Sequence, residues 1–224
     1  MYMTLELASP WEKIYESDPA LSEFRVGDFV GDQRADVFYT DGLRWYISDA
    51  GRAPFRYVQD SGFRAAALGF GDFNRDGKMD VVGVESGQWS VSVSTLTGFW
   101  GAWSNWRLGA ARTKTMAGLT IADLNGNGYP DIVRFTRINV ALNAGGVGTI
   151  RWNVEVSWES KTDWQPLGTI DDVTPGSSLP VIGRFDSTPG PDIVAFLTGS
   201  YRNTLGIKSS GGGALTRYSR QDMR

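Results

Sequence analysis

The stretch of sequence that decides the fold runs from residue 71 to residue 82 and reads Gly71-Asp72-Phe73-Asn74-Arg75-Asp76-Gly77-Lys78-Met79-Asp80-Val81-Val82. Counted from Asp72, positions one, three, five and nine carry side-chain oxygens, and Lys78 at position seven can add its backbone carbonyl. A loop with this spacing can wrap its oxygens around one hard cation, and calcium takes six to eight oxygen ligands at roughly 2.3 to 2.6 Å. Gly77 at position six permits the sharp turn that such a loop needs. We therefore predict a calcium-binding loop.

The residues on either side of this loop predict strands rather than helices. A helical EF-hand would continue to a glutamate at position twelve, where this chain has Gly83. The flanking segments 68–70 and 81–84 are short and apolar, as strands are. The loop is therefore expected to join two β-strands.

The same loop occurs four times, beginning at Gly27, Gly71, Ala122 and Gly183. The third copy keeps every side-chain ligand and the turn glycine, but it has one negative charge fewer than the second, so we expect it to bind calcium less tightly. The alternative for both loops is a polar hairpin that uses Asn and Asp for turn chemistry. The ligands predicted for the two intact loops are Asp72, Asn74, Asp76, Lys78, Asp80, Asp123, Asn125, Asn127, Tyr129 and Asp131.

The first and fourth copies depart from this pattern. The first has Val30 at position three and Gln33 at position six, so we expect weak calcium binding or none from its three acids, Asp28, Asp32 and Asp36. The fourth has Arg184 where the first acid belongs. A guanidinium there could replace the cation and pair with Asp186 or Asp192, and we predict that this copy holds no metal.

Each loop is followed by a similar series of predicted strands, which makes the repeat a structural unit. With the strand that enters the loop, the unit has four antiparallel strands. The later strands are expected at 81–84, 89–94 and 103–106 in the second repeat, at 36–39, 45–48 and 55–58 in the first, and at 193–197, 204–209 and 215–219 in the fourth. In the third repeat we predict strands at 132–135 and 138–143, followed by a longer outer part that contains Trp152, Trp158 and Trp164.

Residues 1–22 fit the second half of the same unit, with a third strand at Met3 to Ala8 and a fourth at Trp11 to Ile14. An open strand edge of this kind attracts a partner, so we expect self-association through this half unit or through missing flanking units. The fold class predicted for 1–224 is an all-β, single repeat array of four-stranded antiparallel units. Its parts are the half unit 1–22 and the units 23–66, 67–117, 118–178 and 179–224.

Composition excludes several classes of function. The chain has no cysteine and no histidine, so disulfides, thiol nucleophiles and imidazole metal ligands are absent, and any metal must be held by oxygen. The net charge of -3 comes without a basic stripe, so no nucleic-acid partner is expected. No segment is long and apolar enough to insert into a membrane, and the N-terminus does not have the pattern of a signal peptide.

The loop sequence followed by an alternating strand resembles the FG-GAP or VCBS repeat, the blade type of integrin α-chain propellers and of several secreted bacterial and fungal lectins. The resemblance covers essentially the whole chain. It implies a β-propeller of four-stranded blades around a central channel, calcium (Ca2+) as a structural ion, binding on the exposed loops and a secreted or extracellular location. Propellers of this type commonly have about seven blades. Four and a half blades imply a fragment of a longer propeller, a small closed ring or completion by a second subunit.

The nine tryptophans divide into two groups by their place in the repeat. Those that recur at equivalent positions are expected in the core, because recurrence is what packing between blades requires: Trp11, Trp45, Trp89, Trp103 and Trp164. Those without a full set of counterparts are the candidates for an exposed aromatic surface that binds a ligand: Trp100, Trp106, Trp152 and Trp158.

The function expected from these features is that of a calcium-stabilised binding module for cell-surface carbohydrate. The alternative is a structural or protein-interaction segment of a larger secreted adhesin or toxin, so the expected partner is a glycan or a cell-surface protein. Glu85, Glu155 and Glu159 could furnish a carboxylate pair for glycoside cleavage. Without histidine, cysteine or a nucleophile motif, we do not expect an enzyme.

Overall fold

The computed structural model describes residues 20–95, 100–106, 115–140, 149–173, 180–185, 190–197, 204–208 and 215–218. These ranges contain β-strands, short 3-10 helices and no α-helix, and no helix in them is long and apolar enough to cross a membrane. The 3-10 helices are Leu21–Glu23, Asp49–Gly51, Ala65–Ala67 and Trp158–Ser160. The strands are β1 (Phe24–Gly27), β2 (Asp36–Thr40), β3 (Arg44–Ser48), β4 (Arg56–Asp60), β5 (Gly69–Gly71), β6 (Asp80–Glu85), β7 (Gln88–Ser92), β8 (Ser104–Asn105), β9 (Leu119–Ala122), β10 (Asp131–Val140), β11 (Thr149–Ser157), β12 (Gln165–Val173), β13 (Val181–Gly183), β14 (Asp192–Leu197), β15 (Thr204–Lys208) and β16 (Leu215–Tyr218).

The strands form four sheets, each made of four consecutive antiparallel strands in chain order. The first sheet is β1 to β4, the second β5 to β8, the third β9 to β12 and the fourth β13 to β16. The predicted all-β array of four-stranded units is therefore confirmed. The half unit predicted at the N-terminus falls mostly on residues 1–19, outside the described residues.

In every sheet the predicted loop joins the first strand to the second. The aspartate at position nine is the first residue of the second strand in all four sheets, as Asp36, Asp80, Asp131 and Asp192. It pairs across the ladder with the residue just before the loop, for example Gly71 with Asp80. A side chain at Gly71 would place its Cβ 3.0 Å from Pro130 Cγ of the next repeat, so the close approach of successive repeats favours glycine here.

The prediction for the third repeat is wrong in its strand assignment. The segments 132–135 and 138–143 were expected as two strands, but Asp131–Val140 is one continuous strand. It pairs without a break with β11, from Ile132 opposite Ser157 to Val140 opposite Thr149. The third strand is thus Thr149–Ser157, and the fourth, Gln165–Val173, begins just after Trp164. Residues 131–140 contain no glycine and no proline, the residues that most often interrupt a strand, so the strand can continue through this segment.

Among the described residues, three apolar clusters hold successive sheets together. Phe38 and Trp45 of the first sheet share a cluster with Val81 of the second. Val82 and Trp89 of the second sheet share the next cluster with Ile132 of the third, and the last cluster joins β10, β11 and β12 to Ile193 and Ala195 of β14. Because the second sheet is covered on both faces, its neighbouring residues Val81 and Val82 are both fully buried. This face-to-face stacking is the blade array of a propeller-type fold.

The recurring tryptophans belong to these clusters, as expected. Trp45 and Trp89 are fully buried, which confirms their place in the core. The half-buried Trp103 packs against Trp45 with 5.8 Å between ring centroids, and the half-buried Trp164 packs against Trp89 at 5.7 Å. Both pairs meet edge to face, the arrangement that aromatic rings prefer. Trp11 lies outside the described residues.

Candidate metal loops and aromatic surface

In the second loop, the oxygens at positions one and three converge on the backbone N–H at position five. The amide of Asp76 donates to Asp72 Oδ1 and to Asn74 Oδ1, both at 3.0 Å. The amide of Gly77 donates to the other Asp72 oxygen at 2.8 Å, and the amide of Lys78 donates to Asp76 Oδ1 at 3.0 Å. The loop therefore gathers three predicted ligand side chains around its own backbone.

The third loop repeats this arrangement. The amide of Asn127 donates to Asp123 Oδ1 at 3.1 Å and to Asn125 Oδ1 at 3.0 Å, and the amide of Gly128 donates to Asp123 Oδ2 at 2.8 Å. Asn127 Oδ1 accepts the amide of Tyr129 at 2.9 Å. Two loops with different sequences thus reach the same geometry, which is what a common binding function or a common turn chemistry requires.

The shape of both loops depends on left-handed backbone at positions four and six. The φ angles are 62° at Arg75 and 87° at Gly77 in the second loop, and 73° and 86° at Gly126 and Gly128 in the third. The turn role predicted for Gly77 is confirmed. Arg75 takes the same region without the freedom of glycine, at a cost of roughly 1 to 2 kcal/mol.

The aspartate at position nine has a structural task that the sequence did not reveal. Asp80 is fully buried, and its carboxylate accepts the backbone N–H groups of Phe73, Asn74 and Ser94 at 2.9, 3.3 and 2.7 Å. Asp131 is bonded in the same way by Leu124 at 2.8 Å and by Glu159 at 2.7 Å. The same pattern holds for Asp36, which accepts from Phe29, Val30 and Ala50, and for Asp192, which accepts from Phe185. This residue ties the loop to the start of the second strand.

Burial raises the pKa of two of these aspartates, Asp80 and Asp131. Burial raises the pKa of Asp80 to about 6, against hydrogen bonds from Ser94 and Phe73 that lower it. The pKa of Asp131 is raised to about 6 for the same reason, and the nearby carboxylates of Asp123 and Glu159 add to the rise. A divalent cation in either loop would favour the ionised form of the same carboxylates.

In metal-free protein, stability is expected to rise as the pH falls from about 7 to about 5. The pKa of Asp80 and Asp131 is about 6 in the fold and 3.8 as the ordinary value, so between these values the folded state binds more protons than the unfolded state. Their contribution is complete below about pH 4 and is lost as the pH rises through about 6. Thermal melts in chelator across this range measure the slope of stability against pH, and the control Asp80→Asn should reduce that slope by about half because Asp131 still titrates. Stability that falls on acidification from pH 7 to 5 contradicts the assignment.

The first loop has a turn like that of the second and third loops, but its position-five aspartate is ion-paired with an arginine. Gln33 adopts the left-handed backbone itself, with φ of 65°, so the missing glycine does not change the turn. Arg34 Nε donates to Asp32 Oδ2 at 2.6 Å, and this hydrogen bond lowers the pKa of Asp32. A cation would have to displace that guanidinium, which supports the prediction of weak binding. Arg34 lies at position seven of the loop, and the sequence pattern, which marks an arginine at position one of the fourth loop, does not predict this pairing.

The fourth loop is described only in part. Arg184 is exposed, and the amide of Phe185 donates to Asp192 Oδ2 at 2.6 Å. The predicted partner Asp186 lies outside the described residues, so the proposed pairing with Arg184 stays a prediction.

The donor chemistry of the second and third loops fits calcium. Each loop offers carboxylate, amide and backbone carbonyl oxygens and no nitrogen or sulfur ligand, the set that a hard cation prefers. A carboxylate oxygen that accepts one hydrogen bond keeps a second lone pair for a cation. In the parts of the chain that the structure describes, no three Asp, Glu, His or Cys side chains form a metal site by themselves. Calcium would therefore depend on the asparagines and on the carbonyls of Lys78 and Tyr129.

Loops of successive repeats touch each other. The amide of Met79 in the second loop donates to the carbonyl of Asp28 in the first at 2.9 Å. On the other side, the guanidinium of Arg75 lies over the ring of Tyr129 in the third loop, 4.9 Å from its centroid. The first three loops therefore form one continuous surface at the same end of their sheets.

The expectation of an exposed surface is wrong for Trp100 and Trp152, which are only 6% and 7% exposed. Trp100 packs edge to face on Trp45 at 5.4 Å, and its Nε1 donates to the carbonyl of Met79. Trp152 lies in the cluster between the third and fourth sheets and forms one wall of a groove of about 470 Å³. Both rings are core residues that lack counterparts because the outer parts of the repeats differ in length.

Trp106 and Trp158 are half-buried, and they lie in different surroundings. Trp158 packs against the cluster of the third and fourth sheets and donates from Nε1 to Gln165 Oε1 at 3.1 Å. Trp106 lies beside the third loop, where the ammonium of Lys161 is 4.6 Å from its ring centroid and 5.7 Å from that of Tyr129. We call the group of Trp106, Tyr129, Arg75 and Lys161 the aromatic-cation surface.

The repeat is similar to a known family of sequence repeats. The sequence model of the FG-GAP-like repeat family matches residues 72–134, which hold both intact loops, so the predicted FG-GAP resemblance is confirmed there. No curated protein matches the chain. The fold is similar to that of an Agrocybe aegerita lectin described as recognising non-reducing terminal N-acetylglucosamine, with 14% identity, a TM-score of 0.49, and coverage of 90% of this chain and 68% of the lectin.

A second similar structure is the Photorhabdus luminescens Tc holotoxin pore. The identity is 14%, the TM-score is 0.40, and the match covers 89% of this chain. It spans only 12% of the toxin chain, so this chain is far shorter than that relative. Identities this low do not identify a ligand.

Proposed function

We propose that this chain is a calcium-stabilised β-propeller module that binds cell-surface carbohydrate outside the cell, and that it is not an enzyme. Calcium is assigned to the second and third loops, where it would be held by the side-chain oxygens of positions one, three, five and nine and by the carbonyls of Lys78 and Tyr129. Its role is structural, because each loop joins the first two strands of a sheet and a bound ion would stiffen that junction.

The observation that carries the carbohydrate assignment is the aromatic-cation surface. The rings of Trp106 and Tyr129 are half-buried, and Trp106 Nε1 donates to the backbone carbonyl of Glu159 at 3.3 Å. Asn127, in the same loop as Tyr129, donates from Nδ2 to Glu159 Oε1 at 3.1 Å. An indole offers an apolar face to a sugar ring, while amides and carboxylates bond its hydroxyls. Lys161 lies over the indole on a flexible, exposed side chain and can move aside for a stacked ring.

Two of the three carboxylates considered for catalysis, Glu155 and Glu159, have side-chain partners. Glu155 accepts from Arg134 at 2.7 to 2.9 Å, and Glu159 accepts from Asn127. These contacts support a binding role over glycoside cleavage.

A protein partner is the second candidate, and exposed apolar side chains of the first sheet and its flanks favour it. Leu21, Val26, Leu43 and Tyr57 are 88%, 70%, 74% and 46% exposed. Apolar side chains on a surface contribute to protein contacts when they lie together in a patch. Under this reading the chain is a structural or interaction segment of a larger secreted adhesin or toxin.

A binding screen against immobilised oligosaccharides with different terminal sugars separates the two candidates. The unmodified chain is expected to bind a subset of glycans in calcium, and Trp106→Ala is expected to weaken that binding at least about tenfold by removing the stacking face. Tyr57→Ala, an exposed aromatic change on the first sheet, is the matched control and should leave binding unchanged. Absence of binding to every glycan would reject the carbohydrate assignment and favour a protein partner.

A further inference from the structure

The third loop lacks a charge that the second loop has. Position five is Asp76 in the second loop and Asn127 in the third, while positions one and nine are aspartate in both. Fewer carboxylates lower the affinity of a calcium loop. Taken alone, the third loop should therefore be the weaker site.

Glu159 lies at a position that recurs in three repeats. Its backbone N–H donates to Asp131 Oδ1 at 2.7 Å, as the N–H of Ser94 does to Asp80 Oδ1 at 2.7 Å and that of Ala50 to Asp36 Oδ1 at 2.9 Å. The three residues are thus structurally equivalent. Of these three repeats, only the third has an acid at this position, and only the third has lost its acid at position five of the loop.

The side chain of Glu159 reaches the residue that lost the charge. Asn127 Nδ2 donates to Glu159 Oε1 at 3.1 Å. This contact fixes the orientation of the Asn127 amide, so that Oδ1 accepts the backbone N–H of Tyr129 and stays on the loop side. A carboxylate that orients a ligand in this way tunes a metal site from outside the ligand set.

The backbone around Glu159 holds it in place. Glu159 and Ser160 both have left-handed backbone, with φ of 51° and 56°, although neither is glycine. Ser160 is fully buried, and its hydroxyl donates to the carbonyl of Pro130 at 2.7 Å, next to Asp131. The strained turn is thus anchored to the end of the loop that it faces.

We propose that Glu159 completes the third loop as a calcium site, its carboxylate supplying the negative charge that Asn127 does not carry and orienting the Asn127 amide oxygen toward the loop. In the second loop both tasks fall to Asp76, opposite the neutral Ser94. The inference rests on the proposed calcium binding and adds a residue that the loop pattern does not contain. Glu159 acts through Asn127, so it is a positioning residue.

Titration calorimetry with calcium tests this in an Asp76→Ala background, in which the third loop is the site measured. Glu159→Gln keeps the shape and the acceptor for Asn127 but removes the charge, and it is expected to weaken binding about tenfold. Asn127→Asp combined with Glu159→Gln transfers the charge into the loop and should restore the affinity to within about threefold. Glu155→Gln, the same change on β11 at a carboxylate that is ion-paired with Arg134, is the control and should have no effect on calcium affinity.

Metal-free melts distinguish this role from a general structural one. Glu159→Gln should leave the melting temperature in chelator within about 2 °C of its parent. Unchanged calcium affinity in Glu159→Gln, or no recovery on adding Asn127→Asp, would overturn the inference while leaving calcium binding intact. Absence of calcium binding in the unmodified chain as well would overturn both the inference and the proposed metal function.

Discussion

Replacement of Asp80 by alanine is expected to lower the free energy of unfolding by about 3 kcal/mol or more, even in chelator. The buried carboxylate accepts three backbone N–H groups, from Phe73, Asn74 and Ser94. A buried donor left without a partner costs about 1 to 3 kcal/mol, and some of these donors will recover a bond to water. Because the measurement is made without calcium, loss of a bound ion does not contribute.

Denaturant unfolding in chelator measures this effect. Asp60→Ala is the matched control, because the Asp60 side chain is 78% exposed and pairs with exposed Arg44 at 3.5 Å. An exposed pair of this kind contributes about 0 to 1 kcal/mol. A loss below about 1 kcal/mol in Asp80→Ala would show that the carboxylate does not hold the loop to the strand.

Asp76→Ala is expected to abolish most of one calcium site, whereas Asp32→Ala should change little. Calcium at ten times its dissociation constant stabilises a fold by about 1.4 kcal/mol per site, and extracellular calcium modules bind in the range of about 0.1 to 1 mM. Asp76 is a predicted ligand with Asn74 donating to it at 3.1 Å, while Asp32 is already paired with Arg34. The readout is the loss of stability on adding chelator, compared between the two variants.

Equal chelator effects in the two variants would contradict the assignment of calcium to the second loop. Both substitutions remove an exposed carboxylate from position five of equivalent loops, so their direct effects on the metal-free fold are matched. The difference between them therefore reports calcium. If Asp32→Ala reduced the chelator-dependent loss of stability more than Asp76→Ala does, calcium would have to be assigned to the first loop.

The fold was predictable because the loop marks the same point in every repeat. Its spacing fixed the first two strands of each sheet, and the alternation after it located the third strand in the first, second and fourth repeats. In the third repeat, alternation continued beyond residue 135 without a turn signal, and a pattern of period two does not say where a long strand ends. That is why the continuous strand Asp131–Val140 was split in two.

The side-chain surroundings were less predictable, since they depend on residues distant in sequence. Trp100 is buried by Phe38 and Trp45 of the preceding repeat, at 5.8 and 5.4 Å between ring centroids. The absence of a counterpart in other repeats therefore did not indicate exposure. An aspartate at position nine looks the same in the sequence whether it binds a metal, backbone N–H groups or both, and only the structure shows the contacts with backbone N–H groups.

The place of Glu159 beside the third loop was not predicted, because the repeats differ in length. The equivalent residues Ala50 and Ser94 follow their position-nine aspartates by 14 residues, but Glu159 follows Asp131 by 28. Aligning the third strands by their last paired residues, Ser48, Ser92 and Ser157, shows the correspondence, because Ala50, Ser94 and Glu159 each follow two residues later. The sequence did contain one indication. The third repeat has Asn127 where the first two loops have an aspartate, and it has an additional acid, Glu159, later in the same repeat.

The central claim, that calcium stabilises this array, is tested most directly by the melting temperature of the unmodified chain with about 10 mM calcium and with chelator. Two sites at about ten times their dissociation constants would add about 2.8 kcal/mol. For a chain of this length that corresponds to a rise of about 6 to 11 °C. A melting temperature that is the same in calcium and in chelator would contradict the account and leave the loops as hydrogen-bonded turns.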